Sequence, residues 1–377
     1  MSDVSWQVTM LGPSRVGKTS LLTALQIGAQ DFFKGTAVTV TPVGAFTAAA
    51  FRTNNDKMLG ELAARRFSPN SLPGNAEEHR YNLAVDPGVN AIEERQILSF
   101  VDYPGGWISD GKHEGIVRKH LADSPTVIIP IDATLIMESR PSHLPDVARI
   151  LEITAVAEHV RLWATTRREG TGDPTLLVLA PIKCESYFDD NGGSADRAEE
   201  LLTRVRDLYH PVSQAYRDQF SDAAPPLLYA PVDTIGPVEL MNVDWDVDAQ
   251  TNLMRMKPDF RVRSDGKGRI PVRSIRGAEP ILSYLVRDIL AQRDKFMRAE
   301  KDAAEDEAKR IKREGRNARS HWWDRLYDNW SGKKKRRANM TAEQLEKIDK
   351  LDASLRRLAS NIKKSTPSTE WNRVREW

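Results

Sequence analysis

The most specific chemistry in this chain is concentrated near its start. Gly12-Pro13-Ser14-Arg15-Val16-Gly17-Lys18-Thr19 fits G-x-x-x-x-G-K-[ST]. In that pattern glycines let consecutive backbone N–H groups turn inward around a phosphate. Lys18 stands where an ammonium would reach the β- and γ-phosphates of a nucleotide, and Thr19 where a hydroxyl would hold Mg²⁺. Trp6-Gln7-Val8-Thr9-Met10-Leu11 before the loop has strand composition, and Ser20-Leu21-Leu22-Thr23-Ala24-Leu25 after it opens a helix. A helix N-terminus there adds partial positive charge. This strand–loop–helix context makes Gly12, Pro13, Ser14, Arg15, Val16, Gly17, Lys18, Thr19 and Ser20 candidate nucleotide-binding residues.

A second constellation lies downstream. Phe100-Val101-Asp102-Tyr103-Pro104-Gly105-Gly106 is an apolar strand that delivers an aspartate at its C-terminal end. Asp102 is a candidate Mg²⁺ ligand with Thr19, and the Gly105 N–H can meet a γ-phosphate. Gly12, Gly17-Lys18-Thr19 and Asp102-Tyr103-Pro104-Gly105 together resemble the P-loop GTPases of the translation-factor and Ras-like class. The D-Y-P-G-x-W form is similar to bacterial YcjX-like and double-GTPase-type proteins. The resemblance spans about residues 5–290 and implies GTP/GDP and Mg²⁺ as ligands.

The resemblance also shows where this chain departs from its pattern. Gly106 stands where Ras-like enzymes carry a water-orienting glutamine. Arg15 stands where guanylate-binding proteins and atlastins carry a catalytic arginine, so Arg15 and Lys18 are the catalytic candidates, with a homodimer through the G domain as the implied activator. The switch I region falls over residues 27–78. No threonine lies between Thr53 and Asp102, and Ser71, in the loop 68–75, is the nearest hydroxyl for a metal. The strand Thr175-Leu176-Leu177-Val178-Leu179-Ala180-Pro181-Ile182 runs into Lys183-Cys184-Glu185. GTPases read guanine with [NT]-K-x-D. Lys183 and Glu185 keep the spacing and the charge, whereas Ile182 replaces the polar residue. Guanine is favoured by Glu185 and adenine by Ile182. Val232, at the end of the strand at 226–232, lies where the class places a backbone donor near the base.

The elements that position these groups alternate strand and helix. Residues 45–66 have helical composition; 79–85 and 94–101 read as strand, turn, strand; 110–124 reads as a polar loop and helix. Residues 125–132 read as a buried strand, 144–168 as one helix, 194–220 as another helix, and 226–232 as the last strand. Residues 240–275 look like a β-hairpin insertion turning at Asp265-Gly266-Lys267-Gly268. The expected fold class is α/β: a P-loop NTPase, G-domain-like, with a mostly parallel sheet flanked by helices and a basic helical C-terminal tail. The expected domains are 1–292, with the insertion, and a charged helical extension over 293–377.

Composition agrees with that division. Of 377 residues 40% are hydrophobic and 29% charged, an ordinary globular balance. The net charge of +2 hides an asymmetry: residues 287–377 hold 25 Lys/Arg against 16 Asp/Glu, +9, which leaves −7 on residues 1–286. In the extension Trp322, Trp323, Leu326, Tyr327 and Trp330 share one helical face beside Lys333-Lys334-Lys335-Arg336-Arg337. Such a face over 315–377 suits a partner protein, an anionic membrane or nucleic acid. No apolar run approaches the roughly 20 residues of a membrane helix. Cys184 is the single cysteine; with no signal pattern at Met1-Ser2-Asp3, a reducing, cytoplasmic setting is expected. The function expected is a GTP-binding and hydrolysing switch. The alternatives are a nucleotide-binding adaptor or scaffold with little turnover, or an ATPase.

Overall fold

The computed structural model describes residues 4–34, 39–67, 76–86, 96–169, 174–191, 193–220, 224–248, 254–263, 273–289 and 369–377. Its strands, in chain order, are β1 (Val4–Met10), β2 (Thr39–Val43), β3 (Arg66–Phe67), β4 (His79–Asp86), β5 (Gln96–Asp102), β6 (Thr126–Asp132), β7 (Leu176–Ile182), β8 (Leu227–Tyr229), β9 (Val238–Val247), β10 (Met254–Val262) and β11 (Arg375–Glu376). Among the described residues the main sheet runs β11-β8-β7-β6-β1-β5-β4-β2, with β3-β10-β9 as a second, smaller sheet. The pairs β1–β5, β1–β6, β6–β7 and β7–β8 are parallel, and β4–β5, β2–β4 and β8–β11 are antiparallel. The fold class expected from the sequence is α/β, and a mostly parallel α/β sheet flanked by helices is observed.

The central strands read as unbroken apolar runs because helices cover both faces. Within β6, Val127 and Ile129 point to one core, while Ile128 points to the other, the period of two that a pleated strand imposes. The first core lies against α3 (Glu114–Asp123), α6 (Ile153–Glu169), α7 (Ala198–Leu208) and α8 (His210–Arg217) and contains Trp163, Tyr209 and Tyr216. The second lies against α1 (Lys18–Phe32), α2 (Ala45–Ala63) and α9, which covers 278–289, and contains Leu21, Leu25, Phe51, Ile281 and Leu285. The β6–β7 register pairs Asp132 with Ile182. Both strands therefore end level with each other, at the carboxyl edge where open α/β sheets bind ligands.

Several elements differ from the sequence reading. The helix expected over 144–168 is two helices, α5 (Leu144–Ile150) and α6. They are separated at Glu152, whose φ of 49° is left-handed. The stretch 194–220 is likewise two helices, α7 and α8, because Pro211 near the start of α8 supplies no N–H to continue the first. A hairpin is present, but its turn is not the expected one: β9 and β10 pair from Val238↔Val262 to Val247↔Met254, so the chain reverses between Val247 and Met254, and 265–268 follows the second strand instead of joining the two. Residues 265–268 lie outside the described residues, as do Ser71, the aromatic face at 322–330 and the basic run at 333–337. Strand β8 is not the edge. Residues 369–377 return to the sheet, where β11 pairs with it and Trp377 stacks on Tyr229 with ring centroids 5.7 Å apart.

Helices α1 and α9 meet through a glycine. The Cβ that Gly28 lacks would sit 2.5 Å from Ala278 Cβ. Gly28→Leu is expected to push α9 off the sheet and lower stability by about 1–3 kcal/mol, the usual cost of overpacking. Thermal or urea unfolding checks this, and an unchanged midpoint would mean that the two helices do not touch.

Candidate functional site

The loop after β1 stays in the sheet's register for one more residue, as Leu11 N donates to Ile128 O at 2.9 Å. It then turns back on itself. Arg15 and Gly17 have φ of 64° and 108°. The second value lies where a side chain is strained, which fixes glycine at 17. Helix α1 starts at Lys18 with no side-chain cap and no acid in its first turn. Its first N–H groups and positive dipole end therefore face out of the helix toward the loop.

Lys18 closes the loop from inside. Its Nζ donates to Gly12 O at 2.9 Å and to Pro13 O at 3.0 Å, and the residue is only 7% exposed. Burial pulls its pKa below the usual lysine range, opposed by the negative charges of Asp102 and Glu152. The Thr19 hydroxyl donates to Asp102 Oδ2 at 3.0 Å, and Asp102 is buried at the end of β5. A hydroxyl and a carboxylate brought this close are hard oxygen donors, the set that suits Mg²⁺. Among the described residues no cluster of three or more His, Cys, Asp or Glu could hold another metal.

The turn after Asp102 lies directly on the loop. A Cβ at Gly105 would fall 2.0 Å from Ser14 N and 2.1 Å from Pro13 C. Only glycine permits this approach. Gly106, by contrast, has nothing within 4 Å of its absent Cβ, so space for a side chain exists there. From the other side α6 holds the same turn. His159 Nε2 donates to Ile108 O at 3.0 Å, and Ser109 Oγ donates to Glu152 Oε1 at 3.5 Å. Glu152 Oε2 is buried without a partner among the described residues. Sequence reasoning missed Glu152, because it sits inside a run of helix-spaced apolar residues and no motif marks it.

The second group gathers where β7 and β8 end. Ile182 is fully buried, and its Cδ1 lies 2.4 Å from where a Gly17 Cβ would be. The residue in the place of a polar guanine-loop side chain thus packs against the phosphate-type loop. Lys183, with φ 60°, places Nζ 2.5 Å from Asp132 Oδ2. Glu185 is 3% exposed. Its Oε1 accepts from the Thr234 and Ile235 amides at 2.7 and 2.8 Å. Burial raises the Glu185 pKa and these amides oppose the rise; Asp233 beside it is pushed well up, by burial first and by Glu185 next. Val232 is buried, and its amide donates to Pro181 O at 2.7 Å.

The structure therefore brings Gly12 to Ser20, Asp102 and Gly105 together. It sets Lys183, Glu185 and Val232 at the adjacent strand ends, joined to the first group by Ile182 on Gly17. Arg15 is exposed on the loop. No described helix is long and apolar enough to cross a membrane.

No family model and no curated protein matches the sequence. Among solved structures the chain is similar to the GTPase-like domain of S. cerevisiae Ski7 bound to GTP, at 14% identity and TM-score 0.34, over 62% of this chain and 43% of that one. It is similar to the signal recognition particle receptor SRb-GTP/SRX complex from Chaetomium thermophilum at 18% identity and TM-score 0.30, over 58% and 86%. It is similar also to sup35 complexed with GDP at 12% and 0.28, over 62% and 38%. The chain spans less than half the length of the Ski7 and sup35 chains. The site described above stands on its own geometry.

Burial holds the Glu152 carboxyl above the usual glutamate range, opposed by Ser109 and Lys18. Between the unfolded value of about 4.3 and the raised value, the folded protein holds the extra proton, so the stability this group contributes falls as pH rises through that window. Glu152→Gln removes the dependence. Its melting temperature relative to the unmodified protein is expected to rise as pH is taken from about 4 to about 7. A difference that stays flat with pH would place the carboxyl in ordinary solvent.

Proposed function

We propose that this chain binds a purine nucleoside triphosphate with Mg²⁺ and hydrolyses it, with guanine the preferred base. The observation that carries the reading is the 3.0 Å contact of the Thr19 hydroxyl with Asp102, made while Lys18 is enclosed by the loop and Gly105 rests on Pro13 and Ser14. In this reading the loop amides from Gly12 to Ser20 cradle the β-phosphate, and Lys18 leaves its loop carbonyls for the β- and γ-phosphate oxygens. Thr19 and Asp102 hold the metal, Thr19 directly. Bound Mg²⁺ would neutralise charge on the β- and γ-phosphates. The Gly105 N–H meets the γ-phosphate, and the turn at 105–108 moves with its presence or loss. The Lys183 stem and the Glu185 carboxylate face the base, and Val232 stands with the backbone donors beside it. Residues 1–292 with the returning segment 369–377 form the nucleotide-binding unit, and the stretch between them carries contacts to partners.

A nucleotide-binding adaptor with little turnover is the second reading. It is favoured by Gly106, which has room for a water-orienting side chain but none. An ATPase is favoured by Ile182.

Lys18→Ala is expected to abolish tight nucleotide binding, and Asp102→Ala to weaken its Mg²⁺ dependence. Competition of GTP and ATP for the full chain, measured by calorimetry, tests the base. GTP should win, and Glu185→Ala should erase the difference. Unchanged affinity in Lys18→Ala would remove the phosphate assignment, and an ATP preference in the unmodified protein would remove the guanine one.

Arg15 separates the enzyme from the adaptor. Its side chain is exposed on the loop, where a second copy of the domain could enclose it. Turnover per molecule is expected to rise with protein concentration. Arg15→Ala should lower turnover by on the order of 10³-fold while nucleotide affinity stays nearly constant. A full rate in Arg15→Ala would assign phosphoryl charge stabilisation to another group.

A further inference from the structure

The residues after β7 carry Lys183 and Glu185, yet little secondary structure of their own holds them. One 3₁₀ turn at Glu185–Tyr187 is followed by an irregular stretch to 197. What fastens that stretch comes from the far end of the chain. Arg373 Nη1 donates to both oxygens of Asp190, at 3.0 and 3.1 Å. Its guanidinium lies 4.0 Å from the centroid of the Phe188 ring, and its side chain is 8% exposed. A cation this enclosed requires its partners. Here they are the Asp190 carboxylate, which accepts from it twice, the Asp189 carboxylate, with Oδ1 3.8 Å from Nη2, and an aromatic face.

Asp190 also accepts from Arg276 Nη1 at 3.2 Å. Arg276 in turn pairs through its backbone with Asp233, one residue before the amides that hold Glu185. Asn191 Nδ2 donates to Asp233 Oδ2 at 2.9 Å. The two loops that flank the base position, 183–193 and 232–236, thus meet at Asp190 and Asn191. Arg373 closes that junction from outside.

The segment that carries Arg373 is itself fixed. β11 pairs with β8, Trp377 N donates to Leu227 O at 2.8 Å, and Tyr284 Oη donates to Glu376 at 2.8 Å. Strand β8 leads directly into Val232. The same returning segment therefore braces one base-side loop through Asp190 and the strand beneath the other through β11.

We infer that Arg373 is a positioning residue for the base side of the nucleotide site, and that docking of residues 369–377 sets how slowly nucleotide leaves. This rests on the nucleotide-binding reading above. Arg373 touches no reacting atom; it acts through Asp190 and Phe188 on the loop that carries Glu185.

The test loads the full chain with a ribose-labelled fluorescent GDP and chases with excess unlabelled GDP. Arg373→Ala and Asp190→Asn are each expected to raise the dissociation rate by about tenfold or more, the effect of losing a charge-assisted pair. Each should raise KM for GTP and leave kcat at saturation within about twofold. The double variant should raise dissociation by less than the two single effects combined, because the Arg373–Asp190 contact is common to both. Arg373→Lys, which keeps the charge but loses the fork and the ring contact, should fall between. Tyr284→Phe, which removes one of the contacts that dock the segment, should raise dissociation in the same direction but by less than Arg373→Ala. If Arg373→Ala lowers the melting temperature while dissociation stays at the unmodified rate, the segment is an edge cover only and the inference fails. If Arg373→Ala does not fold, Asp190→Asn and Arg373→Lys decide in the same way. If the unmodified protein retains no labelled nucleotide while folded, the nucleotide reading itself falls, a result distinct from the first.

Discussion

An ammonium group taken out of water must be met by oxygen, and Lys18 sets that demand at the centre of this protein. With 7% of the residue exposed, its Nζ is met by two loop carbonyls, from Gly12 and Pro13. Carbonyls can turn inward on a side chain that follows them in sequence only if the loop between doubles back. The left-handed backbone at Arg15 and Gly17 makes that reversal. Reversal in turn needs a rigid entry and exit, supplied by β1, which is paired on both sides, and by α1. The held lysine is also a poised one. Its pKa is pulled down by burial and restored in part by Asp102 and Glu152, so the ammonium is held by neutral carbonyls with carboxylate charge close by.

Two close backbone approaches make the loop part of a larger unit. Gly105 presses the turn after β5 onto Pro13 and Ser14, and Gly17 accepts the Ile182 side chain from the end of β7. Neither contact is a hydrogen bond. Both are steric, and steric contacts between packed elements are either kept or broken rather than stretched. A change at the loop is thus felt at the turn bearing Gly106 and at the strand that leads to Lys183. Ile182 deserves its place for that reason. An apolar residue there gives up a polar contact but couples the loop after β1 to the end of β7 by packing.

The parts legible in the sequence were those where chemistry and local geometry coincide. Gly12, Gly17, Lys18, Thr19, Asp102 and Gly105 were marked because a close approach or a buried charge leaves few residue types acceptable at fixed spacing. The central strands were legible because burial on both faces leaves continuous apolar runs. The break at Glu152 was not legible, since apolar residues at helical spacing continue through it and a left-handed glutamate has no composition signal. β11 was not legible for another reason. Two paired residues, Arg375 and Glu376, are too few for any periodicity, and their strand character comes wholly from β8 offering an open edge. Arg373 and Asp190 lie far apart in the chain, so nothing local relates them.

The buried charges explain why that distant segment matters. Glu185 and Asp233 are both shielded from water, and burial raises both pKa values, with the Glu185 charge working further against ionisation of Asp233. Such a pair is tolerable only where amides and cations are held in place around it. Thr234 and Ile235 amides satisfy Glu185; Asn191 satisfies one oxygen of Asp233. Arg273, its own pKa lowered to about 10 by burial, is drawn toward Glu185 and bonds Thr234 O at 3.1 Å. Every one of these donors lies on an irregular segment. Irregular segments hold a fixed geometry only when something outside them restricts their motion. The sheet restricts them at Val232 and Ile182, and Arg373 restricts them at Asp190. A cluster of this kind owes its order to the whole sheet edge, the returning strand included, rather than to the short motif that first marks it.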